Sequence, residues 1–357
     1  MDIREKVKKL PLSSGVYIMK DSLGTTIYVG KSKNLKSRVG SYFMNSKTRS
    51  PKVIKLLKNL KDFEYILTDT EFEALLLECR LIKEIKPRYN RQMKTPKGYR
   101  YIRIKMNEKY PSIDMCIETN NDDNNLYFGP YTSKNTVEKA ILGIKEHNKI
   151  LCTNAARKIS GCLKYSMNLC IGMCENEAFK EYYDGVISKV IKMLNGTDLT
   201  ILKEIEERME KASENLDFEA AVKCRDDIKA IKYLIDGTKI INFIKNNINI
   251  AFIEILNDKE IKLFLIRYNK VIFTEKYEIS KLNVYEVKLK IKKYFNNSLK
   301  QIINIDKNDI DEIHIIYNYL KSKDSVGKYM VILNDWLDNL EDLSFDKAIK
   351  EFIKIKE

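Results

Sequence analysis

The chain has 357 residues, 44% hydrophobic and 32% charged, with a net charge of +14. That length suits two or three domains. No apolar run approaches the ~20 residues of a membrane span, and the opening MDIREKVKKL lacks the apolar core of a secretory signal, so the expectation is a cytoplasmic protein with no membrane partner. Residues 1–100 hold 23 Lys and Arg against 10 Asp and Glu, nearly all of the excess. A local cationic surplus suits a polyanion, because each neutralised phosphate releases counterions; a solvated lysine-rich surface is the alternative.

In chain order, LSSGVYIMKDSLGTTIYVG at 12–30 predicts a hairpin, with alternating runs at Val16–Met19 and Thr26–Val29 around a turn-like DSLG. With Val16, Ile18, Ile27 and Val29 toward the core, Tyr17 and Tyr28 share the opposite face. A helix starts near Ser32–Asn34, capped by one of these, and runs through Leu35, Val39 and Phe43. Another helix covers 52–60. The strand FEYILT precedes a helix from Thr70 to about Lys86, with Thr70 as N-cap, Glu73 completing a capping box and Pro87 as the stop. Strands follow at 99–119 and 126–132, a helix at 134–147, a cysteine-bearing stretch at 152–174 and a helix at 177–194. Residues 198–235 predict a helical hairpin bending near Asn215. From 240 on, IAFIEIL, IKLFLIRY and KVIFTEKY are successive strands, followed by a helix near 284–297. The fold class is therefore mixed α/β and multidomain: a small α+β domain at 1–95, a connector with the cysteines at 96–197, the helical hairpin at 198–236, and a small α/β domain at 240–357.

The two histidines, His147 and His314, are far apart in sequence, which argues against a histidine-centred site. The remaining chemistry belongs to Tyr, Arg, Lys, Glu or a metal. Gly15-Val16-Tyr17 and Tyr28-Val29-Gly30 place two tyrosines eleven apart on paired strands, and Lys31 follows at once. Arg38 and Tyr42, four apart, share a helix face. Glu78 sits mid-helix with Ala74, Leu75, Leu81 and Ile82 as its neighbours one turn away. A carboxylate on an apolar stripe needs a partner: a metal ion, a nearby Lys or Arg, or else a place at the stripe's edge.

The ordered set GVY…YVGK…R…Y…E…PRYN resembles the GIY-YIG nuclease family, with Val in place of Ile in both tripeptides. YVGKSKNLKSRVGSYF and EALLLECRLIKEIKPRYN, the latter at 73–90, resemble the UvrC branch of that family, which acts in excision repair. The resemblance implies a small GIY-YIG α+β nuclease domain. It implies that Glu78 is the single carboxylate ligand of Mg²⁺ or Mn²⁺, the other ligands being waters. It implies that Tyr28 is the general base, its ordinary pKa of ~10 lowered by Lys31 and Arg38. Arg38 would grip the scissile phosphate with its guanidinium fork, Tyr17 and Tyr42 would orient water and phosphate, and Asn90 would tie the long helix to the site. Sheet packing is the alternative role for each tyrosine.

Cys152, Cys162, Cys170 and Cys174 have the spacing C-x9-C-x7-C-x3-C, which leaves zinc and an iron–sulfur cluster both open. Cys79, Cys116 and Cys224 fall in helix or strand patterns and are expected as buried thiols. CLKYSMNLCIGMC resembles the family's cysteine region, which implies that the four hold a 4Fe–4S cluster. NLDFEAAVKCRDDIKAI resembles the UVR motif, the helical hairpin through which UvrC and UvrB meet, at Leu216, Phe218, Glu219, Ala220, Ala221, Arg225 and Asp226. A generic charged hairpin is the alternative. Residues 240–357 resemble the region that precedes an RNase H-like nuclease domain in the family, and that second nuclease is not expected within this chain. Taken together, the resemblance implies a metal-dependent DNA endonuclease that cuts on the 3′ side of a lesion with UvrB, meeting UvrA–UvrB–DNA complexes through it. A non-catalytic adaptor for UvrB or DNA, and a mobile-element nuclease, are the alternatives.

Overall fold

The structure is a computed structural model that describes residues 3–44, 49–90, 93, 99–120, 122–150, 163–173, 177–246, 249–296, 309–322, 327–338 and 343–354. The first elements are α1 (Ile3–Lys8), β1 (Gly15–Lys20), β2 (Thr26–Ser32), α2 (Leu35–Ser41), α3 (Pro51–Asn59), β3 (Asp62–Leu67) and α4 (Glu71–Ile85). They are followed by β4 (Arg100–Lys105), β5 (Ser112–Cys116), β6 (Leu126–Tyr131), α5 (Lys134–His147), α6 (Leu163–Ser166), α7 (Lys180–Leu194), α8 (Thr200–Glu214) and α9 (Phe218–Asn246). The last are β7 (Asn249–Ile255), β8 (Glu260–Arg267), β9 (Lys270–Glu278), α10 (Val284–Asn296), α11 (Ile310–Lys321), β10 (Gly327–Val331), α12 (Asn334–Asp338) and α13 (Leu343–Ile353). Two compact units result, residues 1–96 with 243–357, and residues 97–242.

In the first unit, β1 is the centre of an antiparallel sheet of order β2-β1-β3. The pairs Tyr17↔Gly30 and Met19↔Tyr28 put both tyrosines on one face. The placement of Ile27 differs from the sequence expectation. The register shifts between Met19 and Lys20, so the alternation breaks there. Ile27 buries with Tyr17, Met19, Leu35 and Val39, not with Val16, Ile18 and Val29, which pack on Ala74 and Ile82 of α4. Both faces of β1 are thus covered.

Local chemistry sets the helix ends. Asn34 caps α2 by accepting from the Ser37 amide; α2 ends at Ser41, with Tyr42 as C-cap, so Phe43 lies beyond it. Thr70 and Glu73 form the capping box of α4, and Lys86 closes it in the left-handed region at φ 52° just before Pro87.

The same unit holds the antiparallel sheet β10-β7-β8-β9. One face, through Ala251, Ile253, Ile261, Leu263 and Leu265, packs on Val287 and Ile291 of α10 and Phe345 and Ile349 of α13. The other face turns to α4 and α11. Phe72, fully buried, sits 5.6 Å from Phe252, 5.3 Å from Phe264 and 5.0 Å from Tyr319, measured between ring centres. Lys262 of β8, buried, reaches Asp69 and Glu73 at 2.5 Å each, and Lys83 reaches Glu312 at 3.2 Å. Burying a Phe side chain contributes about 1.5–3 kcal/mol. Stripping one partner from a buried ion pair costs about 3–5 kcal/mol, because the remaining charge is left uncompensated. The sequence analysis set 240–357 apart as a domain of its own. It has its own sheet and core, yet Phe252, Phe264 and Lys262 need a cover on the second face, and α4 supplies it.

In the second unit, the sheet β5-β4-β6 shares one core with the helices. Ile102 and Ile104 of β4 lie in the same cluster as Val137 and Ile144 of α5, Val190 and Leu194 of α7, Ile201 and Ile205 of α8, and Ile231 and Leu234 of α9. The helical hairpin is therefore not a self-contained pair. Its apolar stripe, legible as helical spacing, is buried against the neighbouring segment. The bend is at Asn215–Asp217, with Leu216 at φ 60°, and Asp217 accepts from the Ala220 amide. α9 also runs on to Asn246, past the expected end at 235.

Candidate active site

The glycines of the two tripeptides make room for the site. A Cβ on Gly30 would lie 2.4 Å from the Cζ and hydroxyl of Tyr17, and one on Gly15 would lie 2.3 Å from the Ile66 carbonyl oxygen. The Tyr17 ring therefore crosses its register partner and reaches the end of α2, where its hydroxyl is 3.0 Å from that of Tyr42. The ring of Tyr28 is 6.1 Å from that of Tyr17. The guanidinium of Arg38 stands 5.6 Å from the centre of the Tyr42 ring, and its side chain is exposed. Among the described residues no carboxylate pairs with Arg38.

Glu78 is half-buried on α4. Its Oε1 accepts the backbone amide of Lys31 at 3.1 Å, and among the described residues no Lys or Arg pairs with its carboxylate. Of the partners open from sequence, an ion pair is thus not the one found among the described residues. Burial pushes its pKa upward, against the amide of Lys31 and the charges of Lys31 and Arg38. A half-buried carboxylate with one oxygen fixed, no ion pair among the described residues and a guanidinium and three phenols nearby fits a hard divalent cation completed by waters. Among the described residues there is no cluster of three or more acidic, His or Cys side chains that would form a different metal site.

The electrostatics correct one expectation. Burial, then Tyr42, then Glu78 push the Tyr28 phenol well above its ordinary range, and Tyr17 is raised too, by burial and its tyrosine neighbours. Lys31 does not lower Tyr28: its Nζ is 2.5 Å from Glu71 Oε1, and Lys33 meets the other oxygen at 2.9 Å. Against the cost of burial, those two ammonium groups hold the Glu71 carboxyl below its usual range. The protein's own residues thus raise the Tyr28 phenol, chiefly by burial. Glu71 was not singled out in the sequence. The signal was its place seven residues before Glu78, two turns along one helix face.

Asn90 follows α4 and is buried. Its Oδ1 accepts the Val29 amide at 3.0 Å and its Nδ2 donates to the Val29 carbonyl at 2.9 Å. That clamp sits between Tyr28 and Gly30, so it fixes the strand that carries both.

Of the four cysteines assigned to a cluster, Cys152, Cys162 and Cys174 lie outside the described residues. Cys170 is buried in the second unit and forms an isolated antiparallel bridge with Ile150. Cys79 is buried, while Cys116 and Cys224 are half-buried; burial pushes the Cys79 thiol up to about 12, as suits a packed, unreactive group.

The raised Glu78 makes a stability prediction. The folded chain holds the Glu78 proton more tightly than the unfolded chain does, so the carboxylate has no cost at low pH. The cost appears as pH rises past the ordinary carboxylate value and is complete above the raised one. In chelator, Glu78→Gln is expected to melt with the wild type at about pH 4 and above it at about pH 7. Equal or lower melting of the variant at neutral pH would contradict this burial.

Three family models match the chain in order: the UvrC-like GIY-YIG domain at 13–91, the middle domain of the UvrC/Cho excinuclease at 99–193, and the UvrB/UvrC motif at 200–234. The UvrABC system protein C of Acetivibrio thermocellus is 38% identical over 343 residues, covering 93% of this chain and 55% of that protein. That of Clostridium kluyveri is 42% identical over 244 residues, covering 67% of this chain and 39% of that protein. The chain spans about half the length of the first of these relatives. A solved GIY-YIG endonuclease domain of UvrC from Thermotoga maritima, bound to its catalytic magnesium, is 38% identical, covering 26% of this chain and all of that one, with a TM-score of 0.23. Among the described residues no helix is long and apolar enough to cross a membrane.

Proposed function

Because this chain belongs to the UvrC family of GIY-YIG proteins, we propose that it is a divalent-metal-dependent DNA endonuclease that makes one incision, on the 3′ side of a lesion, in concert with UvrB. The observation that carries this reading is Glu78: a half-buried carboxylate with no ion-pair partner among the described residues, near three phenols and an exposed Arg38 that no carboxylate among them pairs with. A divalent cation held at Glu78 supplies Lewis acidity to the phosphodiester. Arg38 binds the phosphate oxygens with its planar fork and meets the charge that grows on them. Tyr28 faces the attacking water with its hydroxyl, to orient it and, with a cation at Glu78 offsetting the carboxylate's charge, to take its proton as the base; the linked hydroxyls of Tyr17 and Tyr42 position the phosphate. Lys31 contributes its amide to Glu78 and its ammonium to Glu71. Asn90 keeps β2 in place under Tyr28. The basic surplus of residues 1–100 supplies non-specific contacts to the DNA backbone.

The test is incision of lesion-bearing duplex with cognate UvrA, UvrB and Mg²⁺. Glu78→Gln is expected to abolish cutting, and Arg38→Ala to slow it by ~10²-fold or more. Tyr28→Phe keeps the ring's packing and removes only the hydroxyl, and it is expected to lose most activity with the fold intact. Wild-type rates in both Glu78→Gln and Tyr28→Phe would place the chemistry elsewhere. An inactive wild-type chain that still binds UvrB would instead support the adaptor reading.

Contact with UvrB is assigned to the tip of the α8–α9 hairpin. Leu216 and Phe218, 71% and 65% exposed, stand there, and two turns along α9 the Arg225 guanidinium contacts Asp226 at 3.1 Å. Because the rest of the hairpin is part of a core, its deletion would break the second unit, and a point change is the cleaner test. Phe218→Ser is expected to lose capture of UvrB without loss of thermal stability; undiminished capture would remove this assignment.

The iron–sulfur reading rests on Cys152, Cys162, Cys170 and Cys174 and on the burial of Cys170. Its bridge to Ile150 brings it to the segment that leads into Cys152 in sequence. Anaerobically purified protein is expected to hold about four irons and four sulfides per chain, with less iron in Cys170→Ser. One equivalent of zinc and no iron would overturn it.

A further inference from the structure

We propose that Lys262, in β8, is a positioning residue for the nuclease site, acting through Asp69 and Glu73 at the start of α4. The inference rests on the reading of Glu78 and Arg38 given above. Lys262 is 8% exposed along its side chain, and its Nζ is 2.5 Å from both Asp69 Oδ2 and Glu73 Oε1. The second oxygen of Glu73 accepts the amides of Asp69 and Thr70 at 3.1 and 3.3 Å, while the Thr70 hydroxyl accepts the Glu73 amide at 3.1 Å. One carboxylate therefore caps the helix and binds the buried ammonium, so Lys262 fixes the backbone of the first turn as well as two side chains. Lys276 adds a more exposed contact to Asp69 at 2.5 Å.

The groups that α4 gives the site lie on that turn and just beyond it. Glu71 holds Lys31 and Lys33. Glu78 accepts the Lys31 amide from five residues beyond Glu73, about 7.5 Å along the helix axis. A rigid helix carries a shift or roll of its first turn to that carboxylate. A charge within the C-terminal sheet thereby positions the metal ligand that α4 presents to the N-terminal sheet.

The experiment uses the whole chain, with Lys262→Met, which keeps length and loses charge, and Lys262→Arg, which keeps the charge. It reads kcat and KM for incision, the Mg²⁺ concentration at half activity, and hydrogen exchange along α4. Lys262→Met is expected to lower kcat and raise the half-saturating Mg²⁺, within the 10–100-fold range typical of residues that support a metal ligand. KM for DNA stays unchanged, exchange quickens as far as the turn of Glu78, and Lys262→Arg recovers most of the loss. A lower melting temperature with wild-type kcat and Mg²⁺ dependence would show that Lys262 serves stability alone and overturn the proposal. Should Lys262→Met not fold, Asp69→Asn decides on the same readouts, because it removes half of the ammonium's charge partners and leaves the cap. If the wild type makes no incision, the nuclease reading fails by itself. Exchange then judges Lys262: faster exchange around Glu78 in Lys262→Met supports its role, and exchange unchanged there refutes it.

Discussion

Helix α4 lies between two sheets, and each face answers to a different one. Ala74 and Ile82 pack on Val16, Ile18 and Val29 of the small N-terminal sheet. Phe72 packs into the aromatic group of the C-terminal sheet and α11. The carboxylates divide the same way, with Glu71 and Glu78 toward β2 and Asp69 and Glu73 toward Lys262. A helix held on two faces cannot roll to bury Glu78 more deeply or to reach a lysine. That constraint leaves a carboxylate with one fixed oxygen and no ion-pair partner among the described residues, a costly state for a folded chain, and it is the state a metal ligand requires.

The rest of the site is built by close approach. Gly30 lets the Tyr17 ring lie across β2, which brings its hydroxyl to Tyr42 and leaves Tyr28 beside both. Packing the rings this tightly removes water and raises the proton affinities of Tyr17 and Tyr28. The same packing leaves Arg38 exposed beside the rings, without an acidic partner among the described residues. The arrangement favours a division of labour in which the tyrosines orient and the guanidinium binds charge.

Much of this was legible in the sequence, for identifiable reasons. The capping box at Thr70 and Glu73 and the stop at Pro87 are local chemistry, so the bounds of α4 followed from a few residues. The strand pairing that sets Tyr17 beside Tyr28 followed from alternation and a turn. Ile27 was misplaced because a register shift breaks that alternation, and nothing in TTIYVG marks it. The lowered pKa ascribed to Tyr28 ran against its burial, which raises it, and Lys31 has a nearer carboxylate in Glu71; both are tertiary facts. Lys262 was invisible, since in IKLFLIR it has the look of a solvent-facing strand residue. The hairpin's shared core was equally hidden: an apolar stripe states that a face is buried but not by what.

The central claim is that the geometry of α4 makes Glu78 a divalent-cation ligand. Its most direct test is anomalous scattering from crystals of the whole chain grown with Mn²⁺. The account predicts one manganese peak at the Glu78 carboxylate, lost in Glu78→Gln while the surrounding tyrosines stay in place. A peak ligated by other side chains, or a Glu78 carboxylate paired with a lysine and bearing no metal, would contradict it.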